Sequence, residues 1–245
     1  MEESRPVALV TGGARRVGAV IARRLHAAGY DLVVHHRSAV ADAQALHDAL
    51  DHARPGSCLV LRADLAQFDR LPELIAHTIG RFGRLDALVN NASAFYPTPI
   101  GSATPAAWDD LFAANARAPF FLSQAAAPAL QAAGGAFVNL ADIFADHPLR
   151  GHTIYCMAKA ALVMLTRSLA KELAPRVRVN AVAPGAVLWP EQGKSDADQK
   201  AMLASTPLQR AGTPDDVAEA VRWLLQDAHY TTGQVIRVDG GRSLG

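Results

Sequence analysis

Short apolar segments alternate along the chain with longer stretches of helical periodicity, and this alternation restricts the fold most strongly. Several of the segments are almost continuously apolar, such as VALV at 7–10 and AFVNL at 136–140. Strands that are buried on both faces have this composition, and their alternation with helices is typical of a parallel sheet. The sequence therefore predicts an α/β fold, a doubly wound sheet of about seven parallel strands with helices on both faces.

The patterns also give approximate bounds for the elements. Strands are predicted at 7–10, 31–35, 58–62, 86–90, 136–140, 177–183 and 234–238. Helices are predicted at 17–28, 39–52, 71–82, 153–174 and 214–226, with one long or two short helices over 105–133. Residues 186–213 are polar and irregular around a weak helix, and we treat them as a substrate loop. No linker, repeat or break in composition divides the chain, so a single Rossmann-fold domain over 1–245 is expected.

Composition and charge exclude several functions. Half of the residues are apolar and the formal net charge is +1, so nothing indicates a nucleic-acid partner or an anionic membrane surface. No apolar run approaches the roughly 20 residues that span a bilayer, and the acidic N-terminus is unlike a secretion signal. Cys58 and Cys156 indicate packed side chains, with neither a disulfide framework nor a metal site. We expect a soluble, cytoplasmic protein without a metal.

A glycine-rich segment, TGGARRVG at 11–18, joins the first strand to the first helix. In a doubly wound sheet this turn binds phosphate, because glycines allow close backbone approach and the helix N-terminus offers free N–H groups. Gly12, Gly13 and Gly18 fit that use. A plain strand-to-helix turn is the alternative, which the position directly after the first strand disfavours.

The end of the second strand reads His35-His36-Arg37-Ser38 and contains no acid. Dinucleotide folds that prefer NAD carry an acid there, which binds the ribose 2′-hydroxyl. A 2′-phosphate would instead find Arg37 and Ser38 as charge-assisted donors, with Arg15 within reach. A solvated basic loop is the weaker alternative, so the sequence favours NADP(H) over NAD(H).

The helix that begins near Thr153 carries Tyr155 and Lys159, which lie at i and i+4 and share a face. A free tyrosine has a pKa of about 10, and a nearby ammonium lowers it because it favours the phenolate. The pair is therefore a candidate proton donor to a substrate that accepts hydride. Taken alone, the same spacing also occurs on ordinary helix faces.

Taken together, the motifs resemble those of the short-chain dehydrogenases/reductases from end to end. They are TGGARRVG at 11–18, Asp64, NNAS at 90–93, Asn115, YCMAK at 155–159, Pro184-Gly185 and VDGG at 238–241. The resemblance implies that Asp64 binds near the adenine and that Asn90 and Ala92 flank the cofactor. It also implies that Lys159 holds the nicotinamide ribose and that Asn115 supports its proton relay.

The cofactor site expected from these motifs and from the resemblance is large. Its residues are Thr11, Gly12, Arg15, Arg16, Val17, Gly18, His36, Arg37, Ser38, Asp64, Leu65, Asn91, Ala92, Ser93, Tyr155, Lys159, Pro184 and Gly185. The expected catalytic residues are Asp142, Tyr155, Lys159 and Asn115.

Two positions depart from the superfamily's usual pattern. Arg16 stands where most members have glycine, and Asp142 stands where most have a serine, thirteen residues before the tyrosine. An ionised aspartate only accepts hydrogen bonds, so it cannot polarise a carbonyl as serine does, and its charge would raise the pKa of Tyr155. Either the site is inactive or the substrate presents donors. The intact Tyr155, Lys159 and Asn115 argue against an inactive site.

Both departures fit the pteridine reductases, which the chain resembles at HRS (36–38), NNASAFYPTP (90–99), GHTIYCMAKAAL (151–162) and VDGGRSL (238–244). Pterins present ring N–H and amino donors and are reduced at C=N bonds. The resemblance implies a substrate site of Arg16, Ser93, Phe95, Asp142 and Tyr155, in which Phe95 stacks on the pterin. Hydride would pass from NADPH to a ring carbon, and Tyr155 or a water ordered by Asp142 would supply the proton.

Two other functions are also consistent with the sequence. The chain could be an ordinary carbonyl reductase, such as a 3-oxoacyl-thioester or sugar reductase, or a non-catalytic sensor that binds NADP(H). The resemblance further implies a homotetramer whose substrate is a pterin or folate. Residues 186–210, with Trp189 and Glu191, are expected to close the pocket, and Trp189 could equally be lid or core.

Overall fold

A seven-stranded sheet forms the centre of the fold, and the computed structural model describes residues 5–187 and 196–244 around it. The strands, β1 to β7, are Val7–Val10, Asp31–His36, Cys58–Arg62, Ala87–Asn90, Ala136–Leu140, Arg178–Pro184 and Val235–Val238. All neighbouring strands pair in parallel, in the order β3-β2-β1-β4-β5-β6-β7. The predicted doubly wound fold is confirmed.

Helices of the described residues connect these strands. They are α1 Arg16–Ala27, α2 Val40–Ala53, α3 Leu71–Phe82, α4 Pro105–Phe112, α5 Ala118–Ala133, α6 Thr153–Glu172, α7 Asp196–Ala204 and α8 Pro214–Gln226. The predicted helices agree with these bounds to about two residues, which is the usual uncertainty of helix ends. The weak helix expected within 186–213 is α7.

Both faces of the sheet are covered by helices. Successive strand residues point to opposite faces, so Val10 packs in the core under α1, α2 and α8, whereas Leu9 packs in the core under α3, α5 and α6. Leu46 of α2 and Leu122 of α5 are fully buried members of these two cores. This two-sided burial is the physical reason for the continuously apolar strand sequences.

Helix α6 is long and apolar enough, by length and composition alone, to cross a membrane. In the fold it is a core helix, since 56% of its most apolar window is buried within the protein. Val163 packs against Ala181 and Ala183 of β6, and Ala170 joins the core under α3, α5 and α6. Packing therefore accounts for its apolar composition.

The helical stretch predicted over 105–133 consists of two helices joined by a π-helical turn, Ala113–Arg117. The N–H of Ala118 bonds to the carbonyl of Ala113, five residues earlier, and Pro119 follows without a backbone donor. Such turns widen a helix locally and are frequent at functional sites. Asn115 lies in this turn and is fully buried.

Both cysteines are unpaired and buried, as the sequence predicts for packed side chains. Cys58 lies at the start of β3, where burial raises the pKa of its thiol to about 12. A thiol with so high a pKa is protonated at neutral pH and is a poor nucleophile.

Helix α8, which packs against α1, begins with a reciprocal capping box. The Thr213 hydroxyl accepts from the Asp216 N–H, and the Asp216 carboxylate accepts from the Thr213 N–H. Thr213→Ala should lower the free energy of unfolding by about 1 kcal/mol, because the cap is lost. Urea denaturation measures this, with Thr213→Ser as the variant that keeps the hydroxyl. An alanine variant as stable as the serine variant would contradict the assignment.

Candidate active site

A cavity of about 640 Å³ opens at the carboxyl ends of β1, β2, β3 and β4. Because β1 and β4 are neighbours, the chain leaves this point in opposite directions, and ligands bind in doubly wound sheets at such a crevice. Predicted residues that line it are Gly12, Arg15, Arg16, Val17, Gly18, His36, Arg37, Ser38, Asp64, Leu65, Asn91, Ala92, Ser93 and Phe95.

The glycine-rich turn between β1 and α1 packs closely against the end of β4. Gly12 has φ +60°, and a Cβ at Gly18 would lie 2.2 Å from the Gly12 carbonyl oxygen. The Asn91 amide donates to the carbonyls of Thr11 and Gly12 at 2.9 and 3.1 Å. Only glycine fits at position 18, and the turn therefore keeps the open backbone that a phosphate site requires.

Thr11 lies beneath the turn and does not line the cavity within the described residues. Its hydroxyl oxygen accepts from the backbone N–H groups of Asn91 and Ala92 at 2.9 and 3.0 Å. The residue thus joins β1 to the loop that follows β4, and its predicted contact with a cofactor stays a prediction.

The two arginines of the turn both line the cavity, in different local settings. Arg16 has φ +51°, in the left-handed region where a residue with a Cβ is strained by roughly 1 kcal/mol or more. This conformation explains why a glycine suits the position. Arg15 forms a 2.6 Å ion pair with Asp42 of α2, in which both side chains are about half exposed. Such exposed pairs are weak.

The end of β2 lies at the cavity and carries basic and hydroxyl side chains. His36, Arg37 and Ser38 line the cavity without an acid among them. The Nδ1 atom of His36 is buried and lacks a hydrogen-bond partner in the described part of the chain, so it is an orphaned polar atom beside a cavity. Asp64 also lines the cavity, and one of its oxygens accepts from the Ala66 N–H at 3.0 Å.

Sequence reasoning missed part of the wall. The additional lining residues are Ala14, His35, Ala39, Ala66, Ala94, Tyr96, Asp110, Ala113 and Ala114. Most are small residues that directly precede or follow a predicted site residue in the sequence, and this neighbouring position is the signal by which they could have been found. The Tyr96 hydroxyl donates to the Asp110 carboxylate at 2.9 Å, a contact that no motif in the sequence indicates.

The fold brings Asp142, Tyr155 and Lys159 together, as predicted. The Tyr155 hydroxyl donates to the Asp142 carboxylate at 2.7 Å, and the Phe144 N–H donates to its other oxygen at 2.9 Å. The Lys159 ammonium donates to the Leu140 carbonyl at 2.7 Å and lies 5.7 Å from the centre of the Tyr155 ring. Asp142 thereby caps the short 3-10 helix Ile143–Ala145, which fixes its orientation.

The expectation that Lys159 lowers the pKa of Tyr155 is wrong for this structure. Burial and then the Asp142 charge raise the pKa of Tyr155 well above its usual value, and the neighbouring Ser93 hydroxyl only partly opposes them. The Asp142 charge raises the pKa of Tyr155, as predicted, but burial raises it more. Tyr155 is therefore a protonated donor to Asp142 at neutral pH.

The pKa values of the two charged neighbours are also shifted by burial. Burial raises the pKa of Asp142, although the Phe144 and Tyr155 hydrogen bonds and the Lys159 and Arg242 charges oppose the shift. Burial lowers the pKa of Lys159 to about 8, with Asp142 opposing. A lysine near this value exchanges protons more easily at neutral pH than an exposed one does.

Ser93 neighbours Tyr155 and is hydrogen-bonded to Asn115. The Ser93 hydroxyl donates to the Asn115 side-chain oxygen at 2.6 Å, and the Asn115 amide donates to the carbonyls of Ala94 and Leu111. These hydrogen bonds do not include Lys159. The relay from Asn115 to Lys159 that the resemblance implies stays a prediction.

Phe95 borders the cavity on the loop after β4, with 47% of the residue exposed. Its ring stacks on the His152 imidazole with centroids 4.8 Å apart and planes at 14°, and it meets Tyr155 edge to face. One face of the ring is thus backed by His152, which holds the ring in place beside Tyr155. An exposure of 47% does not fit a side chain packed in the core.

Some predicted residues lie away from this cavity or outside the described residues. Pro184 and Gly185 lie at the end of β6, where the Gly185 N–H bonds to the Val238 carbonyl and its Cα packs against Asp239. Trp189 and Glu191 lie outside the described residues. Among residues 5–187 and 196–244, no cluster of three histidine, cysteine or acidic side chains could hold a metal ion.

Comparisons with known proteins agree with a reductase. The family model described as enoyl-(acyl carrier protein) reductase matches residues 12–243. Pteridine reductase 1 of Leishmania tarentolae is 37% identical over 279 aligned residues, which cover 98% of this chain and 96% of that protein.

Other relatives are about equally similar. A protein named as ketoacyl reductase 2 of the granaticin polyketide synthase, from Streptomyces violaceoruber, is 38% identical over 246 residues, with 98% and 96% of the two chains covered. A 3-oxoacyl-(acyl-carrier-protein) reductase of Staphylococcus aureus is 35% identical over 238 residues, with 96% of each covered. Similarity alone does not separate these substrate classes.

The pKa of Tyr155 should respond to the charge of Asp142. Asp142→Asn removes the negative charge that disfavours the phenolate, so the pKa of Tyr155 should fall. Absorbance of tyrosinate against pH measures this in each background, and subtracting the curve of the matching Tyr155→Phe variant isolates Tyr155. Asp142→Glu, which keeps the charge, is the control. Coincident curves for the wild type and Asp142→Asn would contradict the coupling.

Proposed function

The chain belongs to the short-chain dehydrogenase/reductase superfamily, whose reductases use NAD(P)H, and we propose that it is an NADPH-dependent pteridine reductase. It would reduce a C=N bond of a dihydropterin or of a folate-like compound to the tetrahydro form. The observation that carries the proposal is the Asp142 carboxylate, held by hydrogen bonds from Tyr155 and Phe144 beside the site.

The carboxylate selects the kind of substrate that can bind. Each carboxylate oxygen has two lone-pair sites, and each oxygen of Asp142 uses one of them for the bonds to Tyr155 and Phe144. The remaining sites accept N–H donors, such as the ring N–H and amino groups of a pterin. A ketone or thioester carbonyl presents only acceptors and would be repelled by the same oxygens.

The aromatic wall supports a flat substrate. Phe95 is exposed at the cavity and backed by His152, so the ring keeps one orientation. Offset stacking on such a ring favours a planar heterocycle. A flexible acyl chain would gain less from this surface.

The described residues fit NADPH. The Gly12–Gly18 turn would receive its phosphates, and Arg37 and Ser38, with Arg15 in reach, would contact the 2′-phosphate. His36, whose Nδ1 lacks a partner in the described part of the chain, lines the same cavity. When bound, the cofactor supplies the hydride that reduces the substrate.

The chain itself must supply the proton for the ring nitrogen. Tyr155 carries a proton at neutral pH and is the donor we propose, and the Lys159 ammonium lies 5.7 Å from the centre of its ring. The Asp142 carboxyl, whose pKa burial raises, is the alternative route through an ordered water. Asn115 accepts a hydrogen bond from Ser93, a neighbour of Tyr155.

A carbonyl reductase is the second candidate, favoured by the similarity to ketoacyl and 3-oxoacyl reductases. A non-catalytic NADP(H) sensor is the third, although the Asp142–Tyr155–Lys159 geometry favours catalysis. A homotetramer, a cytoplasmic location and closure of the pocket by residues 186–210 stay predictions from the sequence.

A substrate panel tests the proposal. The purified protein should oxidise NADPH with dihydrobiopterin, dihydromonapterin or dihydrofolate and leave acetoacetyl thioesters unreacted, because only the pterins and folates present donors to Asp142. NADPH absorbance measures turnover, and NADH serves as the cofactor control. Turnover of the thioesters alone would refute the proposal.

Tyr155→Phe separates an enzyme from a sensor. The variant should lose at least about 100-fold of pterin turnover, the usual effect of removing a positioned acid, while its NADPH dissociation constant changes little. Fluorescence titration with NADPH provides the binding control. Unchanged turnover would exclude Tyr155 as the proton donor.

Arg16→Gly tests whether Arg16 bridges cofactor phosphate and pterin. Glycine adopts φ +51° without strain, so stability should not fall. The KM for the pterin should rise about tenfold, as for a lost charge-assisted hydrogen bond, and more than the NADPH dissociation constant does. An equal loss of both affinities would make Arg16 a second phosphate contact.

A further inference from the structure

We propose that His35 is a positioning residue whose side chain fixes the glycine-rich turn in the shape that receives the cofactor phosphates. The inference rests on the proposed binding of NADPH and adds a residue to which neither the motifs nor the comparisons give a role. It follows from the contacts that His35 makes on both of its sides.

His35 holds the first two glycines of the turn at once. The Gly12 N–H donates to His35 Nδ1 at 3.2 Å, and the Gly13 N–H donates to the His35 carbonyl at 2.9 Å. These two donors are therefore occupied within the protein. A phosphate must use N–H groups further along the turn and at the start of α1, whose direction depends on how Gly12 and Gly13 are held.

The other side of the imidazole reaches the end of β3. His35 Nε2 lies 3.1 Å from the Ala63 carbonyl oxygen, and the Ala63 N–H donates to the His36 carbonyl. Asp64, the next residue, lines the same cavity as Gly12. His35 thus connects the phosphate wall of the cavity to the wall formed after β3.

These contacts fix the protonation state of the imidazole. Because Nδ1 accepts from an N–H group, its lone pair must be free, and the single ring proton lies on Nε2, where it points to the Ala63 carbonyl. His35 is only 2% exposed. Burial lowers its pKa to about 4, with His36 adding to the shift and the Ala63 carbonyl and Asp64 opposing it. The required neutral form is therefore the stable one at neutral pH.

Two substitutions test the roles of the two ring nitrogens separately. His35→Asn keeps an acceptor near the position of Nδ1, and His35→Gln keeps a donor near the position of Nε2. His35→Gln should weaken NADPH binding roughly tenfold, as expected for one lost buried hydrogen bond, whereas His35→Asn should stay within about threefold of wild type. Fluorescence titration measures both dissociation constants.

His26→Gln is the matched control. His26 is another buried histidine, on α1, and its Nε2 bonds to the Ser57 hydroxyl at 2.7 Å, away from the cavity. This variant should leave NADPH affinity unchanged, even if its thermal stability falls as far as that of His35→Gln. Equal losses of NADPH affinity in His26→Gln and His35→Gln would show that His35 contributes only to the general stability of the fold, and would overturn the proposal.

Hydrogen exchange tests the turn without any cofactor. In the free protein, His35→Gln should speed exchange at the Gly12 amide, while His35→Asn and His26→Gln should leave it protected. Unchanged exchange in His35→Gln, or equal losses of NADPH affinity in the two His35 variants, would overturn the proposal.

A wild type that binds NADPH but reduces no pterin refutes the proposed substrate and leaves the His35 comparison valid. A wild type that does not bind NADPH overturns both.

Discussion

Parallel pairing of β1 with β4 is the constraint on which the site depends. It brings the glycine-rich turn, the basic end of β2 and the loop after β4 to one edge of the sheet, although they are far apart in sequence. Thr11 and Asn91 hydrogen-bond across this pair, so the cavity is supported from below by the same contact. Because both faces of such a sheet are buried, its strands are apolar almost throughout.

A second constraint is the burial of a carboxylate beside a tyrosine. In the described structure burial and then the Asp142 charge keep the Tyr155 phenol protonated, and the buried Lys159 ammonium compensates the charge of the Asp142 carboxylate. This arrangement suits a substrate that brings hydrogen-bond donors, since the donors would take up lone pairs of the carboxylate. A serine at the same position would place a donor there and favour a carbonyl.

The sequence predicts the fold closely, because seven apolar strands and amphipathic helices leave little choice of topology. It also predicts most of the cavity wall, since the glycine-rich turn and the end of β2 are contiguous segments. The π-helical turn at Asn115 and the His35 bond to Gly12 follow from tertiary packing and have no local signal. Burial, the largest cause of the raised pKa of Tyr155, is likewise a property of the folded site, whereas the effect of the Asp142 charge follows from the sequence.

In the proposed reaction, Asp142 selects substrates that present hydrogen-bond donors. Asp142→Ser tests it most directly, through kcat/KM for a dihydropterin and for an acetoacetyl thioester measured with NADPH on the wild type and on the variant. The variant should lose pterin turnover and gain thioester turnover, while its NADPH affinity is kept. A variant that keeps the wild-type preference for pterin would contradict the claim.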